Sequence, residues 1–595
     1  MKSSSTTNGQ IVTREELIYA LCQAAELEHG LMCVYLFAAF SMKQYLSEGI
    51  DEVQRDQIRN WEGVLLRVAK QEMEHLGFVC NMLNAIGAPQ HFQRPNLPQR
   101  PAYYGTEALT LEPFNLRTMA RFMEYEKPAS SSDATAVVDG DQLVPTTINF
   151  FNHHTVQELY NAILQGFENL SAKLGKNLFI GPPEAQLEDS EIVVGYGNRE
   201  FGITLFDVTD LASAKRAIYE IIEQGEGIDL DEPAGTPNAQ KLQHLYQRIV
   251  AIQLELQSLT FTAENWQTSG QQLIASLTLL RPILADVRAV LAGDVELIGL
   301  YKDPEILNYL TGLLDAAMDQ LGQIQAKAEE VLAHKRDSSQ AATLQRLCRQ
   351  AVRMIQSDVA GIVLTGVVNP DSHYLQFWRV YEELRQSLAE NRCYEPGRRV
   401  VSNPALRIHE DNAAFARPNA VSPDDDEVLA VHIVTHPYTV KVLDLFNAAY
   451  ETTVQMLLIV FSYNGISEAD RTLLINTAFF PFMTMVIRPM SELLTQLPAY
   501  AENKEHPASS DALRAGPSFE YYNSIAFLPN RDAGWIYLQE RLDQMVAASQ
   551  ELVCPPRDLE KYLPAEQLKN LQTQMSYLST NLSRIAQNFA SQIQK

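Results

Sequence analysis

The sequence predicts a mainly α-helical protein whose N-terminal part is a four-helix bundle with one long crossover. Residues 13–87 form two segments in which apolar residues recur every three or four positions, as on amphipathic helices. Residues 91–154 are rich in Pro, Ser, Gly and Asp, which indicates a long connection, and two further helical segments follow at 155–174 and 211–224. Two helices, a long connection and two more helices are typical of bundles with one crossover.

Local signals fix several ends of these helices. Thr13 is followed three residues later by Glu16, the spacing of a capping box, and Gly87 with Pro89 ends the second helix. A short helix is predicted within the connection at 116–125. The β-branched residues and glycines of 193–205 are compatible with a short hairpin, which the sequence leaves open.

The rest of the chain predicts two further helical parts. Glycines and prolines break the chain after residue 224, and three or four Leu-, Ala- and Gln-rich helices follow up to about residue 368. Apolar helices at 440–461 and 471–497 and a last helix at 564–593 indicate a second, C-terminal helical body. We therefore expect the following division: a first bundle part at 1–227, an inserted helical module at 228–371, a return segment at 372–404 and a C-terminal helical domain at 405–595.

Composition excludes some classes of partner. The 595 residues carry a formal charge of −26, so most of the surface repels a polyanion and nucleic acid is not an expected partner. The first ten residues lack the apolar core of a signal peptide, and the longest apolar run, 473–487, is shorter than the roughly 20 residues that span a bilayer. We expect a cytoplasmic protein that does not bind a membrane. The six cysteines have no paired spacing that would indicate a zinc site or a disulfide framework.

The second helix carries polar residues where apolar ones are expected. Glu72 and His75 lie on a stripe, with advances of three and four residues, that otherwise holds Trp61, Leu65 and Val68. In the first helix, Glu28 shares a stripe with apolar residues in the same way. A buried carboxylate costs several kcal/mol unless it is paired or bound to a metal, so these positions indicate a metal site.

Periodicity alone does not select the remaining ligands. The helix at 155–174 offers Glu158, and the helix at 211–224 offers Glu220 and Glu223. Neither contains a second Glu-x-x-His pair, which helical bundles with two irons commonly have. The missing imidazole has four candidates, which periodicity does not separate: His153, His154, His244 and His373.

Several ordered motifs resemble the ferritin-like domain of the iminophenyl-pyruvate dimer synthase family. They are LEHGLMCVYLFAAFS (27–41), QEMEHLGFVCNMLNAIGAP (71–89), TVQELYNAI (155–163), AIYEIIEQGEG (217–227) and SHYLQFWRVYEEL (372–384). The resemblance continues through GRRVVSNP (397–404), LFNAAYETTVQMLLIVFS (445–462) and AGPSFE (515–520), so it covers most of the chain outside 228–371. The family joins its last two bundle motifs by a short loop, whereas more than 140 residues intervene here.

The resemblance implies a set of metal ligands and selects His373 as the missing imidazole. By matching motifs, the implied ligands are Glu28, Glu72, His75, Glu158, Glu223 and His373. Glu126, Glu220 and Glu226 are the substitutes if the fourth helix is rotated. Tyr35 and Tyr160 are candidate catalytic tyrosines beside the metal, although aromatic residues on apolar stripes are more often core residues.

The predicted function is that of a non-haem oxidoreductase with a pair of irons and O₂ or peroxide as co-substrate. The resemblance implies oxidative coupling of small imines derived from aromatic amino acids, as in secondary metabolism. Three alternatives stay open: iron binding without catalysis, a helical scaffold that works through its inserted helices, and a haem-dependent coupling enzyme. Those inserted helices are also the expected surface for a homo-oligomer or a partner protein.

Overall fold

The structure is a computed structural model. It describes residues 11–99, 108–127, 155–188, 205–225, 237–262, 264–292, 304–333, 339–355, 359–364, 371–413, 430–461, 467–522 and 531–593. The predicted hairpin at 193–205, the candidate ligands His153, His154 and Glu226, and most of the long connection lie outside these residues.

The described residues are mainly α-helical, as the sequence predicts. The helices are α1 (Arg14–Phe40), α2 (Glu52–Ala85), α3 (Leu116–Tyr125), α4 (Val156–Leu174), α5 (Leu211–Gly225), α6 (Pro237–Ser258), α7 (Trp266–Leu291), α8 (Pro304–Ala333), α9 (Ser339–Met354), α10 (Ala360–Leu364), α11 (His373–Glu390), α12 (Pro437–Phe461), α13 (Glu468–Thr477), α14 (Arg488–Leu494), α15 (Arg531–Leu552) and α16 (Ala565–Ile593). Short 3₁₀ helices lie at Leu46–Glu48, Gly175–Leu178, Pro183–Ala185 and Arg557–Lys561. Two two-residue strands, β1 (Pro404–Ala405) and β2 (His432–Ile433), pair in parallel with Pro404 opposite His432.

The predicted ends of the first two helices are present. The Glu16 backbone N–H donates to Thr13 Oγ1 over 3.2 Å, and Glu16 Oε2 accepts from the Thr13 backbone N–H over 2.9 Å, which completes the capping box. Gly87 ends α2 with φ +84°, a left-handed conformation that residues with a Cβ rarely adopt. These ends hold α1 and α2 as an antiparallel pair that packs along its length.

Helices α1, α2, α5 and α4 form a closed ring of four. In this ring α1 packs on α2, α2 on α5, α5 on α4, and α4 on α1. Helix α11 lies outside the ring against α2, α5 and α3. The four-helix bundle with a long connection is therefore confirmed, and α3 and α11 are added at one side of it.

The inserted helices pack mainly among themselves. Helices α6, α7, α8 and α9 contact one another in chain order, and α9 returns to α6, while α10 packs on α6. In the C-terminal part, α12 packs on α15 and α15 on α16. Both parts are helical as expected, and the exact domain limits stay a prediction.

The apolar segment Glu468–Leu494 departs from the single regular helix that the sequence predicts. Between α13 and α14, Ala478–Ile487 forms a π-helical stretch that contains Pro481. Because proline has no backbone N–H, it interrupts the regular hydrogen-bond ladder, and widened turns accompany such interruptions. Among the described helices, Glu468–Leu494 alone is long and apolar enough to cross a membrane by length and composition, and 47% of its apolar window is buried inside the protein. A buried core helix meets the same criterion.

Candidate metal centre

Three predicted ligands lie buried where α1 and α2 face each other. Glu28, Glu72 and His75 are each about 1% exposed. His75 Nδ1 lies 3.0 Å from Glu72 Oε2 and 3.4 Å from Glu28 Oε2. These atoms lie within 4.8 Å of one another, close enough to share one metal ion.

A second group forms around the other oxygen of Glu72. His373 Nδ1 lies 3.0 Å from Glu72 Oε1 and 3.7 Å from Glu126 Oε2, and all three side chains are buried. His373 is the first residue of α11, after the N-cap Ser372, and Glu126 caps the C-terminus of α3. Glu72 therefore presents one carboxylate oxygen to each imidazole, as a carboxylate that bridges two metal ions does.

Two tyrosines bind the terminal carboxylates, which are those of Glu28 and Glu126 and each belong to one ligand group only. Each tyrosine binds the outer oxygen, the one that faces away from the histidine of its group. Tyr160 OH donates to Glu28 Oε1 over 2.5 Å, and Tyr35 OH donates to Glu126 Oε1. Burial, with Glu126 nearby, raises the pKa of Tyr35 well above its usual range, so this tyrosine stays a hydrogen-bond donor. Each terminal carboxylate thus has one oxygen fixed by a phenol and the other free to face the centre.

Without a metal, the acidic and basic groups of the cluster share protons. Burial and the charge of Glu72 raise the pKa of Glu28 to about 8. Burial would also raise the pKa of Glu72, but His373 and His75 lower it below its ordinary value. Burial opposes the charged form of His373, but Glu72 and Glu126 overcome this effect and raise its pKa to about 9. The raised pKa values show that these buried carboxylates attract protons, and they would attract a metal cation for the same reason.

The cluster fits a pair of metal ions. Glu72 Oε1 and His373 Nδ1 are buried and face each other 3.0 Å apart, but neither atom meets the angular criteria of a well-aligned hydrogen bond. Poorly satisfied buried polar atoms are costly, and a metal ion bound by both would satisfy them. Three carboxylates and two imidazoles are a donor set that suits iron.

A narrow cavity, with room for about one water-sized group, opens on this centre. Its floor is formed by the ligands Glu28, Glu72, His75 and Glu126, and its walls come from α1, α4 and α5. The wall residues are Leu31, Val156, Tyr160, Ile221, Ile222 and Gly225. The open side of the centre is therefore mainly apolar, with one phenol.

Glu158 and Glu223 do not lie in either ligand group. Glu158 is half-buried in the first turn of α4, and Glu223 is exposed on α5. On α4 it is Val156 and Tyr160 that line the cavity, and a residue two positions away points to the opposite side of a helix. By the same rule, Glu223 lies away from the face of α5 that carries Ile221 and Gly225, which line the cavity. Glu126, one of the substitutes, lies in a ligand group that contains neither Glu158 nor Glu223, although the resemblance implied both.

The other candidates fall outside the two ligand groups as well. Glu220 is half-buried and lies 3.9 Å from Arg216 in an i,i+4 pair on α5. His244 is exposed on α6 in the inserted helices. The signal for Glu126 was present in the sequence, because Met119, Phe122 and Glu126 are spaced by three and four residues. All three are buried. The apolar stripe of α3 therefore leads to a carboxylate, and the stripes of α1 and α2 likewise include one.

Comparison with known proteins finds relatives for part of the chain. Residues 21–253 match the Ferritin-like family. Dichlorochromopyrrolate synthase of Lentzea aerocolonigenes is 31% identical over 263 residues, which are 40% of this chain and 25% of that protein. The 2-imino-3-(indol-3-yl)propanoate dimerase of Chromobacterium violaceum is 27% identical over 261 residues, 41% of this chain and 24% of that protein. The matches thus span about a quarter of the length of these relatives.

One solved structure is also similar in part. It is the crystal structure of a ferritin-like protein from Caulobacter vibrioides, with a TM-score of 0.26 and 18% identity over 41% of this chain and 86% of that one.

The bundle has the ferritin-like fold, and residues 21–253 carry the match to the Ferritin-like family. Within that class it is a homologue of the enzymes named for imine dimerisation and chromopyrrolate synthesis, which confirms its resemblance to the iminophenyl-pyruvate dimer synthase family.

Proposed function

We propose that this protein is a non-haem oxidoreductase that holds two irons and oxidises a small molecule with O₂ or peroxide. The observation that carries the proposal is Glu72, whose two oxygens each lie 3.0 Å from the Nδ1 atom of a different buried histidine. This set of three carboxylates and two imidazoles has one carboxylate fewer than the set by which ferritin-like bundles hold a pair of irons.

The protein's own residues would hold and shield this pair. Glu28 and His75 would complete one metal position, and Glu126 and His373 the other. When bound, the irons would supply electron transfer to and from O₂ or peroxide. Tyr160 and Tyr35 fix the outer oxygens of Glu28 and Glu126, so that the inner oxygens keep their direction.

The cavity lining would present a partly apolar surface to a small molecule that reaches the centre. Leu31, Ile221 and Ile222 offer it an apolar wall, and the Tyr160 hydroxyl lies beside the metal ligands. We infer from the relatives that the substrate class is imines of aromatic 2-amino acids. Joining two such molecules by a new carbon–carbon bond removes two hydrogen atoms, which reduce O₂ to hydrogen peroxide or hydrogen peroxide to two waters.

The test begins with metal analysis and an optical spectrum of protein purified without chelators. We expect about two irons per chain, no sharp haem band, and a spectral change when O₂ reaches the reduced protein. The double substitution Glu72→Ala, His75→Ala should remove the iron and leave the helical circular-dichroism signal nearly unchanged. Retention of stoichiometric iron by this variant would contradict the proposal.

A substrate screen then separates catalysis from iron binding. Aromatic amino-acid imines generated in the assay should be consumed with O₂ or peroxide by the iron-loaded protein and not by the double variant. Iron without turnover of any imine would favour the non-catalytic alternative. A haem spectrum would instead favour the haem-dependent alternative.

A further inference from the structure

Both histidines of the centre touch a glutamine on the side away from the carboxylates. His75 Nε2 lies 3.2 Å from Gln224 Oε1, and His373 Nε2 lies 3.2 Å from Gln71 Oε1. The two glutamines come from different helices, Gln71 from α2 and Gln224 from α5. Each imidazole is thus held between carboxylate oxygens at Nδ1 and an amide oxygen at Nε2.

The hydrogen-bond pattern assigns the role of each ring nitrogen. Nδ1 of His75 and of His373 faces Glu72 at 3.0 Å, so Nδ1 is the atom that meets a metal. An amide oxygen is an acceptor only, so the opposite nitrogen carries the hydrogen and Nε2–H donates to the glutamine. This contact fixes both the tautomer and the rotation of the ring.

The acceptor type matters for the metal. A carboxylate that accepts from a metal-bound histidine polarises its N–H and makes the imidazole a stronger donor. A neutral amide polarises the same N–H less. Metals bound to weaker donors are more electron-poor and are reduced more easily.

We propose that Gln71 and Gln224 are positioning residues which orient the two imidazoles and, by accepting through a neutral amide, keep the metal pair easily reduced. This inference rests on the metal centre of the proposed function and adds to it the residues that set its reduction potential. Because one glutamine serves each histidine, the effect applies to both metal positions.

Two kinds of substitution separate orientation from donor strength. Gln71→Asn and Gln224→Asn keep the amide but withdraw it by one methylene, so the contact with Nε2 is lost without a change of charge. Gln71→Glu and Gln224→Glu keep the length and replace the amide by a carboxylate. Gln165→Glu, at an exposed position of α4, introduces the same charge without touching an imidazole and is the matched control.

Two measurements compare these variants without using enzyme activity. Anaerobic titration with Fe(II) gives the metal affinity, and a mediated redox titration of the iron-loaded protein gives the midpoint potential. We expect each asparagine variant to bind Fe(II) about 10- to 100-fold more weakly. Each glutamate variant should retain iron and show a lower midpoint potential than both the wild type and Gln165→Glu.

The outcomes distinguish this inference from the proposed function. A wild type that binds no metal would overturn the proposed function itself. A wild type with two irons, together with asparagine variants of unchanged affinity and glutamate variants of unchanged potential, would overturn the role of the glutamines alone. A potential shift of equal size in Gln165→Glu would also overturn it, because charge rather than contact would then account for the effect.

Discussion

Glu72 Oε1 and His373 Nδ1 lie 3.0 Å apart, although the two residues come from α2 and α11 on opposite sides of the inserted helices in the chain. Glu72 Oε2 lies equally close to His75 Nδ1. The carboxylate of Glu72 is therefore common to both ligand groups, whereas Glu28 and Glu126 each belong to one. Substituting each carboxylate in turn should therefore remove a different number of metal ions.

Removing the shared carboxylate should have a larger effect than removing either terminal one. We expect Glu72→Ala to bind almost no iron, whereas Glu28→Ala and Glu126→Ala should each keep about one iron per chain, because one ligand group stays complete. Metal analysis of the purified variants measures this. Glu158→Ala and Glu223→Ala are the controls and should keep the wild-type iron content. Loss of iron from the controls would return those residues to the ligand set.

The metal-free protein should lose stability as the pH rises from about 6 to 9. Burial and Glu72 raise the pKa of Glu28 from 4.5 to about 8, and neighbouring carboxylates raise that of His373 from 6.5 to about 9. Both groups bind protons more tightly in the folded chain, so each stabilises fully below its unfolded pKa and loses this contribution as the pH rises through its folded pKa. Thermal unfolding of chelator-treated protein at several pH values measures the trend.

The variant Glu28→Gln is the control for this pH dependence. It cannot titrate at position 28, so the decline in stability should be shallower than in the wild type. A metal-free wild type whose unfolding temperature rises between pH 6 and 9 would contradict the assignment of protons to this cluster.

The ligands on α1 and α2 could be predicted because long helices make periodicity informative. Glu28, Glu72 and His75 interrupt apolar stripes, and the stripes were visible in the sequence. His373 could not be reached in this way, because it opens a helix far along the chain and no stripe precedes it. Only the resemblance of its motif selected it among the candidate histidines.

Glu126 illustrates where a sequence pattern is too short to select a ligand. It follows the last residue of a ten-residue helix, where a stripe has only two turns in which to be recognised. Its role depends on α3 packing against α11, a tertiary contact that no local pattern encodes. Glu158 and Glu223 were implied by the resemblance of their motifs, whereas in the structure α4 and α5 contribute cavity walls.

A buried carboxylate in the C-terminal part should contribute to stability without affecting the metal. Glu520 is 2% exposed and accepts hydrogen bonds from several groups: Leu406 N, Arg407 N, His409 Nε2, Asn447 Nδ2, Ser518 Oγ and Tyr522 OH. Burial alone would raise its pKa, but these donors lower it below the ordinary value. Glu520→Gln places an amide N–H₂ among donors and should cost about 3 kcal/mol.

Urea unfolding with iron content measured in parallel tests this prediction. The control is Glu502→Gln, because Glu502 pairs with Lys561 at an exposed position, where solvent screening leaves an ion pair little effect on stability. Equal stability of Glu520→Gln and the wild type would show that the donors find other acceptors.

The hydroxyl of Tyr450 should stabilise the contact between α12 and the ligand-bearing helix α1. His29 Nδ1 donates to the Phe92 carbonyl over 2.9 Å, so His29 Nε2 is left to accept from Tyr450 OH over 2.6 Å. Burial and Arg94 lower the pKa of His29 to about 3, which keeps that nitrogen free to accept. The same hydroxyl oxygen accepts from Arg94 Nη2 over 3.1 Å.

Tyr450→Phe removes this hydroxyl and leaves the His29 nitrogen buried without its donor. We expect a loss of about 1–3 kcal/mol in the free energy of unfolding, because an unpaired buried polar group costs its full desolvation. Tyr577→Phe is the matched control, since Tyr577 is 50% exposed on α16 and its hydroxyl can bond to water. Denaturant unfolding of both variants measures the difference. If Tyr450→Phe were as stable as Tyr577→Phe, the hydroxyl would not be what couples α12 to the helix that carries Glu28.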